Sequence, residues 1–426
     1  MTRPGADQEG VARRAAERAA RDSYGRLVAL LAARSRDVSG AEDALSEAFR
    51  SALQTWPVGG VPDRPEAWLL VAARRAMGHS RRHAAVAEGA QATLLLLADE
   101  QEAAEPAAIP DERLRLLFAC AHPAIEASVQ APLMLQTVLG LDAAAIAASF
   151  LTSPAAMGQR LVRAKARIRE AGLSFILPEP ADLPARLDAV LAAIYATYGT
   201  GWEDVLGADP RRKGLADEAL WLSRVLAGLL PDAAEAQGLL ALMLYCEARR
   251  EARRDGAGRF VPLDRQDPER WSRPLVAEAE AVLRAAARTA TPGRFQIEAA
   301  IQSVHVERLL TGRAPMPVLA TLYELLAQVS PTIGVLVARA AAVAETGDPA
   351  RALELLDAIA GKARDYQPWW AARGRIAALL GRGDLARAAL LTAAGLSEDT
   401  AVRAFLIGQA TRIEAKPHPA PSMSDS

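Results

Sequence analysis

The chain has 426 residues, of which 51% are hydrophobic and 24% are charged. Fifty basic and fifty-one acidic side chains leave a formal net charge of -1, which excludes a protein that coats nucleic acid by bulk charge alone. Aromatic residues make up only 5%, and alanine and leucine far outnumber β-branched residues, so the composition predicts an all-α fold.

Helical periodicity predicts three helices in the first part of the chain, at 11–36, 41–56 and 66–82. Residues 1–10 are expected to be frayed. Between the second and third helices, three prolines and two glycines in residues 57–65 predict a loop. The second helix is predicted to turn these apolar side chains inward: Ala44, Leu45, Ala48 and Leu53.

A basic patch lies at the end of the third predicted helix. Residues 71–83 contain no acid and carry a charge of +4 from two arginine pairs, Arg74 with Arg75 and Arg81 with Arg82. Because the pairs are seven residues apart, they recur on one side of a helix and suit a face that follows nucleic-acid phosphates. Arginines that merely complement the helix dipole would give the same pattern.

An acidic segment follows. Residues 84–112 contain no lysine or arginine and carry a charge of -7. A run of this kind is typical of a solvated linker. The sequence therefore predicts a first domain at 11–83 and an acidic linker at 84–110.

A second domain is predicted at 111–177, with helices at 111–121, 126–139, 142–150 and 154–171. The last two form a helix-turn-helix, with Ser153 as N-cap and Pro154 at the first helical position. Residues 154–169 carry +5, and the helix offers Ser153, Gln159 and Arg160 to base edges and phosphates. Backbone contacts would come from three further residues, Arg163, Lys165 and Arg167. A basic solvated helix remains the alternative.

The remaining residues, 185–414, are predicted to form a succession of alanine- and leucine-rich helices. Within them Gly347-Asp-x-Ala-Arg-Ala352 recurs as Gly383-Asp-x-Ala-Arg-Ala388, an offset of 36 residues. This is close to the period of about 34 residues of tetratricopeptide helix pairs. The sequence therefore predicts a C-terminal helical domain of tetratricopeptide-like repeats.

The chain offers little for metal or catalytic chemistry. Its two cysteines, Cys120 and Cys246, exclude a disulfide scaffold and a four-cysteine zinc site. Cys120-x-His122 is the nearest approach to a metal motif, and a buried thiol beside a helix-end imidazole fits it better. We find no catalytic constellation and expect no enzyme activity, metal or cofactor. Without a signal peptide or an uninterrupted apolar span, a cytoplasmic protein with no membrane contact is expected.

Several stretches are long enough to compare with known families. The first predicted domain contains Asp37-Val-Ser-Gly-Ala-Glu-Asp43-Ala-Leu-Ser-Glu-Ala-Phe49, Pro65-x-Ala-Trp68-Leu and Ala73-Arg-Arg75. In and just before the second are Ile109-Pro-Asp-Glu-Arg-Leu-Arg-Leu-Leu-Phe-Ala-Cys-Ala-His-Pro123 and Ala156-Met-x-Gln-Arg-Leu-Val-Arg-Ala-Lys165. The first set resembles region two of bacterial RNA polymerase sigma factors, and the second set resembles region four. Further on, residues 229–244, Ala248-Arg-Arg and Asp267-x-x-x-Trp271 resemble the tetratricopeptide-like extension of one extracytoplasmic-function group. The chain is thus similar to that group over residues 20–410.

This resemblance implies a sigma factor whose partners are promoter DNA and the β′ clamp and β flap of core RNA polymerase. The β′ clamp would be bound by four acidic residues, Asp37, Glu42, Asp43 and Glu47. The -10 element would be held by Arg74, Arg75, Arg81 and Arg82, and the -35 element by the helix at 154–169. The acidic linker would mimic nucleic-acid phosphates in the polymerase channel. The C-terminal domain would be regulatory, as a surface for another protein.

Two alternative functions belong to protein classes other than sigma factors. Ala73 and residues 77–80 stand where the family has an Asn or Asp near the end of the -10 helix, which motivates a helical-repeat adaptor with a degenerate sigma-like half. A conventional repressor would use the helix-turn-helix alone and leave residues 20–83 unexplained. Trp56 and Trp68 could stack on an unpaired base, although both lie at core spacing.

Overall fold

The computed structural model describes residues 6–35, 37–88, 112–138, 140–150, 152–170, 182–203, 215–288, 292–312 and 316–414. Within these ranges the regular structure is helical, and the only β pairing is an isolated antiparallel bridge between Arg254 and Phe260. The all-α fold predicted from composition is confirmed. The chain divides into two compact units, Met1–Leu230 and Pro231–Ser426.

The first unit contains nine α-helices within the described residues. They are α1 (Ala6–Ser35), α2 (Val38–Gly59), α3 (Pro65–Glu88), α4 (Glu112–Cys120), α5 (Ala127–Thr137), α6 (Ala143–Ser149), α7 (Pro154–Glu170), α8 (Leu183–Glu203) and α9 (Leu215–Leu229). Helices α1, α2 and α3 pack on one another, and α1 also packs on α4. Helix α8 packs on α4, α5 and α9, so α8 and α9 belong to this unit.

Four local predictions in this unit are wrong. Helix α1 begins at Ala6, inside the segment that was expected to be frayed, and α3 continues to Glu88. Helix α2 continues through Pro57 to Gly59, because a proline in the last turn removes only one helical hydrogen bond and its ring is buried here. Leu53 is exposed, since Ala52 and Trp56 take the inward positions of that turn. Of the predicted acidic linker at 84–110, residues 89–110 lie outside the described part of the chain.

The second unit contains the other nine α-helices of the described residues. They are α10 (Ala234–Ala248), α11 (Arg273–Ala286), α12 (Arg294–Thr311), α13 (Met316–Val329), α14 (Ile333–Glu345), α15 (Pro349–Asp357), α16 (Gln367–Leu379), α17 (Gly383–Leu396) and α18 (Thr400–Glu414). Short 3-10 turns occur at Arg250–Arg253, Leu263–Arg265, Pro268–Arg270 and Ala360–Lys362. Sequential helices pack on one another around small cores of aliphatic side chains, one of which includes the buried Trp369.

The two Gly-Asp motifs mark successive helix pairs, but they do not occupy the same structural position. Helices α14 and α16 begin at 333 and 367, and helices α15 and α17 begin at 349 and 383. In the first pair Gly347 takes a φ of 101° and Asp348 caps α15 through the Arg351 amide. In the second pair Gly381 carries the positive φ, so Gly383 already lies in the helix. The helices therefore repeat at the tetratricopeptide period of about 34 residues, and the motif has a slightly longer offset.

The N-terminal ends of helices α10 and α12 are joined by hydrogen bonds. Glu235 on α10 accepts hydrogen bonds from the amides of Phe295 and Gln296, at 3.0 and 3.1 Å, and so caps α12 from a neighbouring helix. Gly238, one turn after Glu235, allows the close approach, because a Cβ there would lie 2.5 Å from the Gln296 nitrogen. This junction fixes the side of α12 that faces α10.

Candidate nucleic-acid interface

The segment from Asp142 to Glu170 folds as a short helix, a turn and a longer helix. Asp142 accepts a hydrogen bond from the Ala145 amide at 2.8 Å, and Ser153 accepts one from the Ala156 amide at 3.2 Å. Each side chain thereby satisfies an amide in the first turn of its helix. Ile146 of α6 and Met157 of α7 are buried where the two helices meet. Local capping and packing therefore set the geometry of a helix-turn-helix.

Helix α7 has one buried side and one basic side. Leu161 and Ile168 are buried, as their spacing predicts. The opposite side exposes four of the predicted DNA-contacting residues, Gln159, Arg160, Arg163 and Arg167. Ser153 is also exposed, at the beginning of the helix. A helix anchored by its apolar side with guanidinium groups in solvent can enter a groove lined by phosphates.

Lys165 is the exception on this helix. Its Nζ lies 2.6 Å from Oε2 of Glu42 on α2, and the two side chains are only 16% and 15% exposed. Burial raises the pKa of Glu42, against the opposing effect of Lys165. The other carboxylate oxygen of Glu42, Oε1, is buried without a hydrogen-bond partner. The predicted polymerase-facing and DNA-facing helices therefore meet through a buried ion pair.

No sequence pattern indicates this pairing, because Glu42 and Lys165 are 123 residues apart. In the sequence each side chain looks like an ordinary surface charge, since Glu42 lies in an acidic cluster and Lys165 in a basic helix. The structure brings them together, and their pairing largely shields both from an external partner in this conformation.

The remaining acidic residues of α2 have different environments. Asp37 caps α2, since its Oδ1 accepts a hydrogen bond from the Gly40 amide at 3.0 Å. Asp43 and Glu47 are exposed, and Glu47 forms a salt bridge with Arg50 on the same helix. Three of the four predicted polymerase-binding acids are thus exposed, Asp37 at the start of α2 and the pair of Asp43 and Glu47 one helical turn apart.

The predicted -10 face lies on α3. Arg74 and Arg75 are exposed, whereas Arg81 and Arg82 lie on the same helix with side chains outside the described part of the structure. Beside Arg75, helices α2 and α3 border an open groove of about 880 Å³. Its lining includes Glu47, Trp68 and Val71, so an acid, an aromatic ring and an arginine share one surface.

The two tryptophans of this region pack on each other. The Trp56 and Trp68 rings meet edge to face, with centroids 5.5 Å apart. Trp56 is buried, at 3% exposure, which confirms core packing for this residue rather than stacking on a base. Trp68 is half-buried and borders the groove between α2 and α3.

Cys120 and His122 do not face a common point. The Cys120 thiol is buried with its Sγ 3.6 Å from the Thr137 hydroxyl, and burial raises its pKa to about 12. His122 Nδ1 instead accepts a hydrogen bond from the Ala124 amide at 3.1 Å. The prediction of a buried thiol rather than a ligand pair is therefore confirmed for Cys120. In the described ranges no group of three or more His, Cys, Asp or Glu side chains could hold a metal ion.

Over the same ranges, no helix combines the length and apolarity needed to cross a bilayer.

Comparison with known proteins identifies two similarities. Residues 186–287, from α8 to α11, match a family of unknown function, DUF6596. An uncharacterized protein of Rhizobium meliloti (strain 1021), R00370, is 35% identical over 388 residues, which cover 90% of this chain and 92% of the relative. No solved structure gives a significant match.

Proposed function

The chain belongs to the same family as the Rhizobium meliloti protein R00370, and we propose that it is a sigma factor of the extracytoplasmic-function type. In this role it binds core RNA polymerase through the β′ clamp and β flap, recognises promoter DNA and directs transcription initiation. The second unit modulates this activity. The proposal also assigns the protein to the cytoplasm, where transcription takes place.

The observation that carries the proposal is the exposed basic side of α7 at the end of a helix-turn-helix. Arg160 and Arg163 stand one turn apart on this side, behind Gln159 near the front of the helix. Gln can pair with an adenine edge and Arg with a guanine edge or a phosphate. These residues would read and hold the -35 element.

A second basic surface supports simultaneous contact with another DNA element. Arg74 and Arg75 are exposed on α3, which belongs to a different helical group of the same unit. A repressor that used only α7 would have no need of this surface. The resemblance assigns it to the -10 element, together with Arg81 and Arg82.

The surface for polymerase would be the exposed part of α2. Asp43 and Glu47 offer carboxylates to the basic β′ clamp that the resemblance implies, and the adjoining groove adds the apolar surface of Trp68 and Val71. Acidic residues on this helix would steer association, and the apolar groove would contribute to affinity. Glu42 joins this surface only when its pair with Lys165 opens.

In vitro transcription with purified core polymerase tests the proposal. Full-length protein should form a stable complex with the core enzyme and yield promoter-dependent transcripts. The double substitution Arg160→Ala/Arg163→Ala should reduce transcription from the same promoter, whereas Arg26→Ala, an exposed arginine on α1, should leave it unchanged.

Absence of both core binding and transcripts would refute the proposal and favour the adaptor. Core binding with no effect of the α7 variants would retain the polymerase surface and remove α7 from promoter recognition. A chain that ends at Leu230, where the first unit ends, would then reveal whether the second unit raises or lowers transcription.

A further inference from the structure

A belt of polar side chains crosses four alternate helices of the second unit. Its members lie just after α10, on α12, at the end of α14 and on α16: Arg249, Gln302, His305, Arg308, Glu345 and Arg375. We call this set the polar belt. Arg249 Nη2 donates to Gln302 Oε1 at 2.9 Å, and His305 lies one turn further along α12.

Glu345 is the centre of the other half of the belt. Its two carboxylate oxygens are contacted by guanidinium groups from two different helices, Arg308 on α12 at 3.2 Å and Arg375 on α16 at 3.0 Å. One carboxylate is therefore shared by two cations. Guanidinium groups suit this role, because their donors match the geometry of a carboxylate.

The polar belt carries more positive than negative charge. Three arginines oppose the single carboxylate of Glu345. His305 adds no charge near neutral pH, because burial and the neighbouring Arg249 lower its pKa to about 4. Because the nearby Arg254 is paired with Asp399, the excess of positive charge that favours an additional anion is that of the three belt arginines over Glu345.

The belt can be reached from solvent. The side chains of Glu345, Arg308 and Arg375 are 25%, 30% and 56% exposed. A ligand can therefore contact the guanidinium groups where they are already partly shielded from water. Charge-assisted hydrogen bonds are stronger in such a place than on an open surface.

We propose that the polar belt binds a carboxylate-rich peptide segment of a partner protein. The arrangement at Glu345 shows the chemistry, since two of the arginines already hold a carboxylate. Packed helices lie about 8–10 Å apart, so a row across the four helices of the belt spans roughly 25–30 Å. An extended peptide of about eight residues covers that length, whereas a single phosphate covers one or two side chains.

A nucleic acid fits this surface less well than a peptide. Duplex binding relies on many exposed cations that neutralise successive phosphates. In the polar belt Arg249 and Arg308 are half-buried and interleaved with Gln302 and Glu345. The proposal does not depend on sigma activity in the first unit.

Fluorescence anisotropy on the full-length protein tests this inference, with a fluorescein-labelled octaglutamate peptide at 150 mM salt as the probe. Arg375→Ala should weaken binding about fivefold, because it removes the most exposed cation of the belt. Glu345→Gln should strengthen binding about threefold, because it removes the competing carboxylate. The matched control is Arg351→Ala on α15, an exposed arginine paired with Glu354, which should change affinity less than about twofold.

Opposite effects of the Arg375 and Glu345 variants, with a silent control, support the proposal. Equal losses for Arg375→Ala and Arg351→Ala would overturn it, as would weaker binding by Glu345→Gln. Inorganic phosphate that displaces the peptide at equal charge concentration would indicate a small-anion site instead. A single-stranded oligonucleotide that shows the same dependence on Arg375 would indicate a nucleic-acid site. Circular dichroism melting would establish that each variant is folded.

Discussion

The buried pair of Lys165 and Glu42 should control how tightly α7 is held against α2. Lys165→Met removes the cation and leaves the Glu42 carboxylate in a site where one of its oxygens already lacks a hydrogen-bond partner. Loss of one member of a fully buried pair costs about 3–5 kcal/mol. Both side chains keep some exposure, and burial already raises the pKa of Glu42, so protonation can relieve part of the penalty. We therefore expect a loss of about 2–3 kcal/mol.

Hydrogen exchange measured by mass spectrometry can follow this loss, because peptides from α2 and α7 report opening separately from the second unit. The comparison needs Lys165→Met, Glu42→Gln, the double variant, and Arg163→Met as an exposed control on the same helix. The free energy of opening should fall by less in the double variant than the sum of the falls in the two single variants, because no unpaired charge remains buried. The control should change the free energy of opening by less than about 0.5 kcal/mol.

Two results would refute this reasoning. Exchange in α2 and α7 that is the same for Lys165→Met and Arg163→Met would mean that the pair contributes no stability. Strictly additive losses in the double variant would mean that Glu42 and Lys165 are not coupled. If the sigma proposal holds, opening of the pair should also alter promoter binding, since it exposes both side chains to external partners.

Three further predictions address the second unit and α7. The folded-state pKa of His305 is about 4, below its unfolded value of 6.5, so its contribution to stability is complete above pH 6.5 and is lost as the pH falls toward 4. The free energy of unfolding should therefore fall by about 2 kcal/mol between pH 7.5 and pH 5. Urea titrations at these two pH values should find a smaller fall in His305→Gln than in the unsubstituted protein. Gly238→Ala should destabilise the second unit by about 1–3 kcal/mol, because its Cβ would clash with the backbone of Gln296. In the same urea assay Gly395→Ala, where no atom lies within 4 Å of the added Cβ, should be neutral or stabilising, and equal effects of the two alanines would contradict the close approach. Arg160→Ala should change preference at one promoter position by about 1–3 kcal/mol if it contacts a base; equal weakening in binding assays across promoter variants would mark a phosphate contact.

Local features of the sequence were sufficient for much of the secondary structure. The helices around the helix-turn-helix begin and end within about two residues of their predicted bounds, because Ser153 and Pro154 are unambiguous start signals and Met157, Leu161 and Ile168 fix the buried side. Each of these signals acts over a few residues. The exposed positions of Gln159 and Arg160 follow directly from the same periodicity.

Predictions failed where local rules met longer-range packing. Pro57 was predicted to stop α2, but its ring is buried at the end of that helix. The two copies of the Gly-Asp motif occupy different positions relative to their helices, because the helices repeat every 34 residues whereas the motif copies are 36 residues apart. Neighbouring elements decide these positions, and a short sequence window does not contain them.

The sequence by itself determined an all-α chain with a basic helix-turn-helix, because helix formation and capping depend on residues three or four positions apart. The tertiary structure alone decided which charged residues pair with one another across helices. Glu42 and Lys165 each look like surface charges in sequence, and the fold brings α2 and α7 close enough for the two side chains to pair, largely shielded from solvent. The polar belt is likewise invisible in the sequence, since Arg249, Glu345 and Arg375 come together only when alternate helices stack. Charge distribution on this protein is therefore a property of helix packing, which brings together side chains that lie far apart in the chain.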